Sequence, residues 1–134
     1  MAAQRRIAAL FPLVLAFLPI GASAQDWQGW HPSVAEATLL PKYCWGKFLG
    51  EKFKGPEFTI HDCGVGMNHY CPGLVALSRA NRSVDDRTRQ GYLFGAKAQV
   101  QYTVKALEKY PRCPIRGDVM RTHQLIEREL SVLR

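Results

Sequence analysis

Signals for β-structure are almost missing from this chain. Phe58–Thr59–Ile60 is its one short run of strand-forming residues, which argues against a sandwich, a barrel or a parallel-sheet enzyme fold. Catalytic signatures are missing too. Neither Gly-x-Ser-x-Gly nor His-Glu-x-x-His occurs, and the dipeptide His61–Asp62 sits in a glycine-rich stretch without an evident partner carboxylate. No Cys-x-x-Cys-His pattern is present to attach haem, and the cysteine and histidine spacings match no zinc framework. Cys63–Gly64–Val65–Gly66 has the glycines of a phosphate loop but lacks the Lys-Ser/Thr ending and the preceding strand. Lys52, Lys54, Arg79, Arg82, Arg87 and Arg89 are scattered, with no compact basic run interleaved with aromatics, so nucleic acid is not an expected partner.

Long apolar runs are also scarce. The one clear example, Ile7–Ile20, is about 14 residues, shorter than the roughly 20 a spanning helix needs, so membrane insertion is not expected. It lies between Arg5–Arg6 and the small-residue site Ala22–Ser23–Ala24, the order of an export signal. Residues 1–24 therefore read as a signal peptide and 25–134 as a single helical domain. Without Arg5 and Arg6 the remaining 110 residues carry a net charge of +5, which favours acidic partners or anionic surfaces. The expected location is the periplasm or the outside of the cell.

What is present is helical periodicity. Gln25–Pro32 precedes any regular pattern and holds Trp27 and Trp30, an aromatic arm expected to lie on the domain. Ser33 with Glu36 fits a capping box, and Pro41 suits the first position of a helix running to about Leu49. Periodicity returns near His69, where Tyr70, Leu74 and Leu77 share a face and Pro72 is expected in the first turn. The clearest helix is expected from Val84 to Tyr110, capped by Ser83 and striped by Leu93, Ala96, Val100, Val104 and Leu107. Pro111 and Pro114 end it. Asp118 then caps a last helix striped by Val119, His123, Ile126, Leu130 and Leu133, so Arg116–Gly117–Asp118 reads as a helix start rather than an adhesion tripeptide. The expected fold is all-α, a small bundle of about four helices packed as hairpins.

Four cysteines in an exported domain of this size read as two disulfides, for which three connectivities exist. The helix positions favour Cys44 with Cys71, joining two helices, and Cys63 with Cys113, joining the irregular loop to the proline-rich turn. A competing use of the same region is a copper site. His61, Met67 and His69 fall close together and are ligands that copper accepts.

Leu40–Pro41–Lys42–Tyr43–Cys44 and Asn68–His69–Tyr70–Cys71–Pro72–Gly73–Leu74, with Arg79–Ala80 after them, resemble segments of exported bacterial tetratricopeptide-repeat-like proteins. Gly55–Pro56–Glu57–Phe58 is similar to a segment leading into their histidine motif, and Ala98, Tyr102, Ala106 and Pro111 approximate the second helix of such a repeat. The resemblance implies repeat-like helical hairpins and a structural pair at Cys44 and Cys71. The chain departs from that group by an insertion over His61–Met67 and by ending after one further helix, short of the roughly three stacked units a solenoid requires. The expected function is thus a non-enzymatic scaffold that binds another envelope protein, with Trp27, Trp30, Trp45 and Tyr92 as the contact residues, because aromatics dominate binding hot spots. The alternative function is copper binding or delivery by His61, Met67 and His69.

Overall fold

The architecture is that of a computed structural model, which describes residues 31–133. The segment expected to be an export signal, Trp27 and Trp30 lie outside the described residues. The described chain is all-helical, with no strand: α1 Val34–Thr38, α2 Trp45–Phe48, α3 Met67–Arg82, α4 Asp86–Ala106 and α5 Arg116–Val132. Phe58–Thr59–Ile60 does not become a strand. Phe58 ends the 3-10 turn Pro56–Phe58, and the two residues after it belong to no regular element.

The three long helices form the body. α4 packs antiparallel to α3 on one side and to α5 on the other. Their shared core holds Leu93, Ala96, Val100 and Leu107 from α4 and its end, with Val119, Ile126 and Leu130 from α5, all buried. These are stripe positions, since residues three and four apart share a helix face. Val104, Leu133 and His123 lie at the stripe edges, half-buried. Gly73 permits the close approach of α3 to α4, because a Cβ there would come within 2.7 Å of the Val100 Cγ2 methyl. Buried Thr103 crosses the same seam, its hydroxyl donating to the Gly66 carbonyl at 2.9 Å.

α3 is buried on two sides. Tyr70, Ala76, Leu77 and Ala80 join the main core, whereas Cys71 and Val75 face Leu40 and Cys44 in a second, smaller cluster. Cys44 is bonded to Cys71 and Cys63 to Cys113, with Cα separations of 5.5 and 4.7 Å, and no described cysteine is free. These crosslinks span 27 and 50 residues of chain. By loop-closure entropy they contribute roughly 3.5 and 4 kcal/mol, a large share of a typical domain stability of about 5–15 kcal/mol.

Four helix ends differ from the sequence expectation, each for a local reason. The Pro41–Leu49 helix is a 3-10 turn, Lys42–Cys44, passing into the single turn of α2. α4 starts at Asp86 rather than Val84, because Asp85 accepts from the Thr88 amide at 2.8 Å while the Ser83 hydroxyl donates back to the Arg79 carbonyl. Asp118 lies inside the first turn of α5 instead of capping it; Ile115 precedes the helix, and the Asp118 carboxylate pairs with Arg121. Pro72 is the sixth residue of α3, not part of its first turn, because the chain already turns at Val65 and Gly66, whose carbonyls accept from the Asn68 and His69 amides. Pro72 therefore offers no amide hydrogen to the Asn68 carbonyl one turn before it.

Candidate functional site

Ser33 and Glu36 form a reciprocal capping box on α1. The Glu36 carboxylate also receives Arg79 Nε at 2.9 Å and Arg82 Nη2 at 2.7 Å, fastening α1 to α3. The Arg79 hydrogen bond, followed by the Ser33 amide, holds the Glu36 carboxyl well below its usual range, at about 2. Arg79 additionally donates to the His31 carbonyl at 3.0 Å, so the start of the described chain lies against α3.

Trp45 is half-buried and committed to structure. Its indole N–H donates to the Leu40 carbonyl at 2.9 Å, and its ring packs against Phe53 and Phe58 with centroids 5.5 and 5.9 Å away. Phe53 and Phe58 meet edge to face at 5.2 Å. Together with the 3-10 turns Glu51–Phe53 and Pro56–Phe58, the three rings anchor the stretch between α2 and α3, as aromatic clusters with centroids at about 4.5–7 Å do. Tyr92 is half-buried at the far end of the α3–α4 seam, beside Glu36, Arg79, Arg82 and Asp85.

Two cavities open beside Lys47 of α2 and Asn68 at the beginning of α3. The first, about 290 Å³, is walled by His31, Phe48, His69, Pro72 and Gln99. The second, about 530 Å³, has Tyr43, Phe53, Phe58, Ile60 and Met67 among its walls. Lys47 and Asn68 line both, forming the ridge between them. Lys47 is exposed and has no hydrogen-bond or ion-pair partner among the described residues. His69 Nδ1 is 2.7 Å from Gln99 Oε1; with the amide oxygen as acceptor, Nδ1 carries the proton and the Gln99 NH2 group remains available.

The His69 ring also lies against Tyr102, centroids 3.9 Å apart. That contact joins the first cavity to the exposed face of α4, where Phe94 and Tyr102 are 55% and 51% exposed, eight residues apart and so on one face. A third groove lies on the opposite side of α3, between Leu40, Leu74, Leu77 and the start of α5. Beneath it the Tyr70 hydroxyl is 3.0 Å from Thr122 Oγ1, and burial raises the Tyr43 and Tyr70 hydroxyls above their usual range.

Of the cavities described above, Met67 lines the second and His69 the first, while His61 lines neither. His61 is exposed in the loop, next to Asp62 with its left-handed φ of 60°. The structure also assigns roles that the residue pattern did not announce. Lys47, Asn68, Gln99 and Tyr102 are separated by up to half the domain in sequence; Asn68 and Tyr102 fall in segments that carry the family resemblance, but neither segment marked them as lining a cleft. The available signal was indirect: a proline inside a helix gives no amide hydrogen to the carbonyl a turn earlier. Comparisons with protein-family models, curated proteins and solved structures gave no match.

Proposed function

We propose that the chain is an exported, non-enzymatic scaffold of the periplasm or cell exterior, whose work is to bind another envelope protein. The observation that carries this reading is the continuity between the cavity at His69 and the exposed aromatic face of α4, through the Tyr102–His69 contact. Together they form a rigid, largely apolar surface on a frame crosslinked twice. Frames of this kind lose little conformational entropy on association, so the apolar contact translates into affinity. The two disulfides suit an oxidising compartment, and among the described residues no helix is long and apolar enough to cross a membrane. The antiparallel α3–α4 hairpin supports the tetratricopeptide-like resemblance of the cysteine motifs. Trp27 and Trp30, outside the described residues, are further proposed contact residues.

Affinity capture of the intact exported protein from its native envelope tests the reading. A protein partner retained in fixed ratio is expected, and its loss is expected in a Phe94→Ser, Tyr102→Ser variant that keeps the wild-type Tm. Failure to retain any protein, or retention unchanged by the double variant and by Trp27→Ser with Trp30→Ser, would overturn it.

A further inference from the structure

The paired cavities carry chemical detail about what fits them. Each falls within or at the edge of the roughly 300–1,000 Å³ range of ligand sites; Phe48 and Pro72 give the first an apolar part, and Phe53, Phe58, Ile60 and Met67 give one to the second. The ridge between them is polar. It presents the unpaired ammonium of Lys47, the Asn68 side chain and an Asn68 carbonyl to which Pro72 gives no hydrogen, with the free NH2 of Gln99 beside it. An occupant must therefore be apolar at two separate points and anionic or hydrogen-bonding between them.

An extended peptide meets that demand: its side chains are spaced along the chain, its amides can donate to the Asn68 carbonyl, and its carbonyls can accept from Gln99. A single compact hydrocarbon body would fill one cavity and leave the ridge unsatisfied. We propose that this groove binds an extended segment of a partner protein in which an acidic residue lies over Lys47 and apolar side chains on either side enter the two cavities. The proposal rests on the scaffold reading and specifies its partner. The positive net charge of the domain acts in the same direction, drawing an acidic segment toward the groove.

The test is selection of a displayed random-peptide library on the intact, oxidised protein, followed by affinity measurement with an enriched peptide carrying a fluorophore. Enrichment of an acidic residue bracketed by apolar ones is expected. Affinity should fall about tenfold for Lys47→Glu, less for Lys47→Gln, and hardly at all for Arg128→Glu, a control on the exposed side of α5. Added salt should weaken wild-type binding and have little effect on the Lys47→Gln variant. Enrichment of basic or uncharged sequences would overturn the proposal, as would an affinity unmoved by Lys47→Glu. So would Lys47-dependent binding to phosphatidylglycerol–phosphatidylethanolamine vesicles without peptide enrichment. A native partner captured equally by wild type and Lys47→Glu would remove the groove while leaving the scaffold reading intact; capture of no partner by wild type would remove the scaffold reading itself.

Discussion

Residues 31–66 and residues 67–133 solve the same problem by different means. The later region has three long helices whose apolar stripes meet along their length, and its core includes fully buried Leu93, Val100, Val119 and Ile126. The earlier region has two helices of at most five residues and three 3-10 turns, too short to propagate helix cooperatively on their own. It is held by the Cys44–Cys71 and Cys63–Cys113 bonds, the Glu36 ion-pair cluster and three packed aromatic rings. Distributed burial supports one half; a handful of point attachments supports the other. The proposed groove lies where they meet, beside Lys47 of α2 from the first half and Asn68 at the start of α3 from the second.

That contrast can be broken deliberately. Replacing Cys44 and Cys71 together by Ala should cost about 3.5 kcal/mol. Hydrogen exchange should show the loss of protection concentrated in residues 33–60, with α4 and α5 retaining theirs. Uniform loss across both regions would show that the first half is not separately tethered. Leu93→Ala should cost about 3 kcal/mol through the cavity it leaves, and here the loss should be global, read as a single shifted denaturant transition.

A pH titration sharpens the comparison. Glu36 has its carboxyl lowered from about 4.5 to about 2, chiefly by Arg79, so its contribution is complete above about pH 4.5 and declines as pH falls toward 2. Allowing for solvent screening at this partly exposed position, the contribution is roughly 1–2 kcal/mol. Unfolding free energies of wild type and Glu36→Gln should differ by this amount at pH 6, narrow as pH falls through about 2, and converge only below it. A constant gap would show that the carboxylate charge is not what fastens α1. The smallest effect is expected for Asp85→Ala, a slight fall in Tm from loss of the α4 cap.

Much of the later region was legible in the chain because helical packing follows local spacing. The α4 and α5 stripes needed only the recurrence of apolar residues every three or four positions. The disulfide pairing could be read from where the cysteines fell relative to those helices, and the structure has both bonds as expected. The Ser33–Glu36 box was equally plain, since both partners are three residues apart. Illegible was the second use of Glu36, as acceptor for Arg79 and Arg82 more than forty residues away. Trp45 shows the same limit. Its identity suggested a contact residue, whereas its neighbours Phe53 and Phe58 make it an internal anchor.

The order of residues alone thus determined that this protein would be helical, where its long helices would lie, and that its sulfur could form two crosslinks. Those properties depend on neighbours within a turn or two of helix and on cysteine positions relative to them. Only the tertiary structure decided that Lys47 and Asn68 would stand between two cavities, that His69 would bridge to Tyr102, and that Met67 and His69 would face different ways. Such placements depend on where α2 lies beside α3 and how closely Gly73 lets α3 approach α4, and no local spacing encodes either.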